Sequence, residues 1–240
     1  FTDNWVYLQK AIDICIMNRI KNLYVAGSYK FSKTLTFQNI YNSSYTGFAI
    51  NFYGDGDIWD QRTILTFTDS NLNKPAMLIQ LIKGGTFSNF SLKGNYKAPI
   101  YKDTSYYFTN FPVNNNYSGI VIDGDGTKNT GGSTGFKIEN AVVDGFDVLY
   151  DISPNGVTFN ADIIRLNDIQ CGNGRIGVRS GQAQEKGNII NNITSWGRLH
   201  TLFQSGKSGK FQGGDYTING GNIAGLPVQL FDVQQSGWNN

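Results

Sequence analysis

Charge is scarce in this chain. Charged residues make up 16% of its 240 residues and the formal net charge is +2. Lys and Arg nowhere form a run, so the sequence carries no electrostatic footprint for nucleic acid. Histidine occurs once, at His200, with no Cys or Ser placed beside it by motif, which argues against a nucleophilic triad. Two cysteines, Cys15 and Cys171, are too few for a disulfide framework or a metal cluster, and both fall at apolar positions as buried thiols. No apolar run approaches the roughly 18–20 residues of a membrane-spanning helix, and no signal peptide opens the chain. Proline is held to 5 residues while glycine reaches 29 and aromatics 14%, a composition of strands joined by tight turns.

The first twenty residues stand apart from the rest. Asp3 or Asn4 can cap a helix over 3–20, in which Trp5, Leu8, Ala11, Ile12, Cys15 and Ile16 recur at helical spacing. From Leu23 onward the period changes to two, through Leu23–Ala26, Tyr29–Phe31, Leu35–Phe37, Thr63–Phe67 and Met77–Leu81. One helix ahead of a long β run suits a cap over the first turn of a solenoid, whose edge would otherwise stay unpaired.

One phrase then returns with altered wording: Ile138-Glu-Asn140, Leu166-Asn-Asp168 and Ile190-Asn-Asn192, each followed by an apolar residue and ending near a glycine. Asn140 to Asp168 is 28 residues and Asp168 to Asn192 is 24, the spacing of solenoid coils that must stack to bury an apolar face. Asn89 heads an earlier copy. It lies 51 residues before Asn140, which reads as two coils with Ile120–Ile122 in the one between. Asn222 echoes the phrase after Asn192. Strict alternation turns the phrase amides Asn89, Asn140 and Asn192 inward as a buried ladder, and turns the residues one and three places before them outward. The polar-aromatic stretch 96–117 lacks periodicity and reads as a loop projecting from the stack.

Asp3-Asn-Trp-Val-Tyr-Leu8-Gln-Lys-Ala11-Ile12-Asp13, followed by Leu23-Tyr-Val-Ala-Gly27-Ser-Tyr29-Lys-Phe31, resembles the opening of pectate-lyase-like right-handed parallel β-helix proteins, although the usual Pro before Gly27 is absent. The resemblance implies an all-β, right-handed parallel β-helix with one N-terminal capping α-helix. The chain then forms a single domain over 1–240, with the cap at 3–20, coils over 23–233 and an inserted loop at 96–117. That superfamily contains lyases, hydrolases, epimerases and bacteriophage tailspikes.

Sites are sought outside the repeated core. Lys137 should neighbour Arg165, and Glu139 should neighbour Asn167, on one outward sheet face with Asn191; in the last coil Asn219 is expected beside Lys137, Arg165 and Ile189, three places before the phrase. Arg165 can neutralise or deprotonate an acidic sugar and Glu139 can serve as acid or base. The hydrolases of the resembled family use grouped aspartates, which brings in Asp144 and Asp147, although their Asn-Thr-Asp and Gly-His-Gly signatures are missing here. Trp196, His200, Tyr106 and Tyr107 offer surfaces and polar tips for sugar rings. No cofactor is expected. Ca²⁺ is the one metal with any oxygen-rich candidates, at Asp55, Asp57 and Asp60 or at Asp123 and Asp125, and neither group has calcium-loop spacing.

These features, with a first residue other than Met and an end at Trp238-Asn-Asn without a capping pattern, give the expectation of a bacteriophage tailspike or tail-fibre β-helix. It would recognise host surface polysaccharide, with or without depolymerising it, as a homotrimer or part of a larger assembly, on a virion tail or otherwise extracellular. Two alternatives stand beside it: a secreted polysaccharide lyase or glycoside hydrolase, and a non-catalytic structural solenoid.

Overall fold

The computed structural model describes residues 2–39, 48–56, 63–69, 71–99, 111–114, 116–123, 132–152, 161–181, 187–205, 216–224 and 229–233. Its helix, α1 (Trp5–Met17), starts where Asp3 Oδ1 accepts the Trp5 amide at 2.9 Å and Asn4 holds the N-cap. Leu8, Ile12, Cys15 and Ile16 form the buried stripe, packed against the first strands, while Val6, Tyr7, Ile14 and Met17 on other faces stay exposed. The Gln9 side chain accepts the Thr36 amide at 2.8 Å and donates to the Thr36 carbonyl at 2.9 Å. It thereby satisfies the Thr36 backbone at the outer edge of the strand Leu35–Gln38, which has a strand neighbour on one side only among the described residues.

The strands follow in tiers. β1 (Asn22–Tyr24), β2 (Ser28–Phe31) and β3 (Leu35–Gln38) are succeeded by β4 (Asn51–Tyr53), β5 (Thr63–Phe67) and β6 (Met77–Gln80). Then come β7 (Thr86–Lys93) with β8 (Ser118–Asp123), and β9 (Lys137–Asp144) with β10 (Phe146–Ile152). β11 (Arg165–Asn167), β12 (Gln170–Cys171) and β13 (Gly174–Ser180) form the next tier. β14 (Asn188–Ser195) with β15 (Thr201–Ser205), and β16 (Tyr216–Ile223) with β17 (Gln229–Val233), complete the stack. Each strand pairs in parallel with its counterpart one tier on. The second sheet, β3-β6-β8-β10-β13-β15-β17, has 7 strands, one per tier, so the architecture is all-parallel and solenoid-like.

The repeated phrase marks a bend. Asn89, Asn140, Asp168 and Asn192 have φ of 61°, 49°, 50° and 55°, and Gly220, next in the same register column, has φ of 68°. Asn, Asp and Gly are the residues that enter the left-handed region at least cost. A left-handed residue breaks the two-residue alternation, so the buried positions lie two before it (Phe87, Ile138, Leu166, Ile190) and one after it (Phe90, Ala141, Ile169, Ile193).

This corrects the expected inward ladder. The phrase amides do stack, with Asn140 Nδ2 donating to Asn89 Oδ1 at 2.8 Å and Asn192 Nδ2 to Asp168 Oδ1 at 2.6 Å, but at half-buried or exposed bends rather than in the core. The register corrects two further expectations. Asn89 and Asn140 occupy adjacent tiers, because β7 pairs directly with β9 and β8 belongs to the other sheet. Gly220, not Asn222, stands opposite the phrase amide Asn192, and Asn219 pairs with Asn191 rather than lying beside Ile189.

Inside, aromatic rings run up the stack. Phe37, Phe52 and Phe87 pack with centroids 5.0–6.1 Å apart, and Phe67, Tyr117 and Phe146 form a second file at 5.0–6.4 Å. Each fully buried ring contributes about 1.5–3 kcal/mol by leaving water. Of the expected loop 96–117, residues 100–110 and 115 lie outside the described residues; at its described ends Tyr96 and Phe111 are buried and Val113 is exposed, and the Tyr96 hydroxyl donates to the Pro112 carbonyl at 2.9 Å.

Candidate ligand-binding face

The first halves of the tiers align two side-chain columns that are exposed or half-buried except at Ser88, which is buried. Register aligns Asn22, Asn51, Thr86, Lys137, Arg165, Ile189 and Thr217 in one column and Tyr24, Tyr53, Ser88, Glu139, Asn167, Asn191 and Asn219 in the next. The expected neighbours Lys137 and Arg165, and Glu139 and Asn167, are therefore side by side. With adjacent tiers about 4.8 Å apart, seven tiers extend over about 29 Å.

Three side-chain arrangements order this face. Asn191 Nδ2 donates to Asn167 Oδ1 and Asn219 Nδ2 to Asn191 Oδ1, both at 2.9 Å. Asn51 Nδ2 donates to Asn22 Oδ1 at 2.7 Å at the other end, where Tyr24 is exposed and its hydroxyl donates to Asp55 Oδ1 at 2.9 Å. Lys137 Nζ donates to Glu139 Oε2 at 3.1 Å between them. Arg165, exposed, makes no ion pair or hydrogen bond through its guanidinium among the described residues, so the carboxylate of Glu139 is engaged by Lys137 instead.

Beside Arg165 lies a half-open groove of about 380 Å³, lined by Gly85, Gly135, Lys137, Ile163 and Arg165 among others. Its edge runs along a second left-handed column. Gly84, Gly135 and Gly187 have φ of 88°, 67° and 65°, and between the last two stands Ile163, with φ of 57° and 53% exposure. A β-branched side chain in this conformation crowds its own backbone, and an exposed one gains no burial to offset that.

The remaining expected site residues lie elsewhere. Asp144 serves a turn, its Oδ1 accepting the Asn173 amide at 2.7 Å and side chain at 2.9 Å. Asp147 is fully buried in a bidentate pair with Arg175, at 2.7 and 2.8 Å, which removes it from the open carboxylate cluster expected at the turn. Asp151 and Arg179 repeat this pairing at 2.8 and 2.6 Å, with Ser118 Oγ donating to Asp151 at 2.9 Å. Burial works against the Arg179 charge, but Asp151 outweighs it and holds the guanidinium above its ordinary value.

His200 precedes β15 on the second sheet, half-buried with its ring against Phe111 at 5.5 Å, away from the Lys137–Arg165 columns. Trp196 is half-buried past the end of β14. Tyr106 and Tyr107 lie outside the described residues, as do Asp57, Asp60 and Asp125 of the calcium candidates. Among the described residues no group of three His, Cys, Asp or Glu is placed to hold a metal, and no helix is long and apolar enough to cross a membrane.

Sequence reasoning missed Arg175 and Arg179, yet the signal was present: Asp147 and Asp151 are four apart, Arg175 and Arg179 are four apart, and each pair is separated by the tier spacing of 28. It also missed Asn22, Tyr24, Asn51 and Tyr53, because the opening strands are too short to show the phrase. Neither the protein-family models nor the curated proteins compared with this chain give a match.

Proposed function

We propose that the chain is a right-handed parallel β-helix capped by α1, and that its polar face binds a polysaccharide laid along the stack, as in a bacteriophage tailspike or tail fibre that recognises host surface glycan. The observation that carries this reading is the amide ladder Asn167–Asn191–Asn219. An Asn side chain has two N–H donors and two acceptor lone pairs. Each ladder bond consumes one donor or one lone pair, so the middle amide keeps a donor and a lone pair for a ligand. Hydroxyls that alternate donor and acceptor then meet groups already fixed, and binding costs little side-chain entropy. Tyr24 and Tyr53 at the far end offer ring faces for the C–H side of a sugar.

Two experiments test the reading. A panel of bacterial capsular and lipopolysaccharide glycans is expected to include at least one binder, and Asn191→Ala with Asn219→Ala should weaken it about tenfold through two lost hydrogen bonds. Silence across a panel containing the host glycan would sink the proposal. Mass in solution addresses assembly: a stable trimer supports the spike, a monomer a secreted enzyme. If unsaturated products or new reducing ends appear, Glu139→Gln should abolish them, and unchanged turnover would remove Glu139 as the acid or base.

A further inference from the structure

Charge on the face is concentrated at one place. Of the fourteen residues in its two columns, only Lys137, Glu139 and Arg165 are charged. Lys137 and Glu139 satisfy each other at 3.1 Å, which leaves Arg165, among the described residues, as the one charge of the two columns without a partner, over about 29 Å. Its guanidinium stands at the groove formed with Gly85, Gly135 and Ile163. On either side the columns are neutral: Thr86 and the buried Ser88 one way, and Ile189, Asn191, Thr217 and Asn219 the other.

We infer that this face selects a glycan of sparse negative charge, with one acidic sugar seated in the groove against Arg165 and uncharged sugars over the amide ladder and toward the tyrosines. This rests on the glycan reading above and adds the substrate class to it. A planar guanidinium meets a carboxylate or sulfate with two parallel hydrogen bonds, which fixes the position of the acidic unit along the stack. A polyuronate fits poorly. Its further carboxylates would lie against Glu139 and against column positions that carry no cation, where each loses hydration without a counter-charge. Ile163 forms the lip of the groove where the tiers on both sides have glycine, and its side chain adds a wall that a glycine there would lack.

The test uses matched oligosaccharides on an array and in calorimetry: neutral, bearing a single uronate or sialate, and uronate at every position, with free inorganic sulfate as a control for bare anion binding. The strongest binders are expected in the singly acidic set. Arg165→Ala should lower their affinity about tenfold or more and leave their carboxyl-reduced counterparts within about twofold. Glu139→Gln should narrow the gap between singly acidic and fully acidic chains. Preference for neutral or fully acidic glycans, or equal loss for acidic and reduced forms in Arg165→Ala, would overturn the inference while leaving glycan binding intact. Sulfate competing as well as the oligosaccharide would reduce the site to a simple anion site and overturn it too. Absence of binding in every set would instead remove the glycan reading.

Discussion

Ile163 takes a conformation that its column neighbours do not require of a β-branched residue. Gly135 and Gly187, in the same column on adjacent tiers, take the left-handed bend at no steric cost, whereas Ile163 takes it at φ 57° with its side chain 53% exposed. Such a residue costs on the order of 1–3 kcal/mol, and strain of this kind concentrates at ligand clamps. Ile163→Gly is therefore expected to stabilise the protein by about 1–2 kcal/mol, a rise in Tm of about 2–8 °C for a chain this size. Calorimetric unfolding of the two proteins checks this, and a fall in Tm would mean that packing of the Ile163 side chain outweighs its strain. The other bend column needs no such account: Asn89, Asn140, Asp168 and Asn192 are residue types that tolerate the left-handed region, and their side chains bond to one another.

At the scale of strands, β10 and β13 are joined by two ion pairs four residues apart, Asp147 with the half-buried Arg175 and the fully buried Asp151–Arg179. A buried pair adds little over well-packed apolar residues, but deleting one member strands the other charge. Arg179→Met should therefore cost about 3–5 kcal/mol, while the Asp151→Leu, Arg179→Met double variant should cost far less; equal losses in both would show that the pair is not coupled. These strands also show what was legible beforehand. Strand positions, the helix stripe, and the Lys137–Arg165 and Glu139–Asn167 neighbours followed from periodicity and a 28-residue offset, because parallel register carries a side-chain column unchanged from tier to tier. What failed was phase. Asn140 looks like an inward residue if alternation continues through it, and a left-handed bend cannot be told from a straight strand by hydrophobic pattern alone, since Ile138 and Ala141 are both buried. Tier counting failed between Asn89 and Asn140 for a related reason: inserts lengthen one coil to 51 residues without adding a strand to that sheet.

The whole stack depends on groups that must stay protonated. Burial pushes the Cys15 and Cys171 thiols above their ordinary value of 9.0, and it pushes the Tyr117 phenol from 10.0 up to about 12, although the Asn95 amide at its oxygen opposes this. Tyr96 is raised as well, by burial and then by the Asp147 carboxylate, against the Arg175 charge. Above the ordinary values the unfolded chain releases these protons while the folded chain retains them, so the native state binds more protons and stability falls as pH rises. The contribution is fully present below pH 9.0, begins to be lost as pH rises past that value through the thiols, and is lost further from pH 10.0 upward through the phenols. Urea unfolding at stepped pH should show this as a midpoint that starts to decline near pH 9 and steepens above pH 10, with most loss by about pH 12. Cys171→Ala lowers stability at every pH by the packing it removes, yet its decline between pH 9 and 10 should be shallower than that of the parent. A midpoint that holds level through pH 11 would mean that the stack opens enough for these groups to titrate as they do in water.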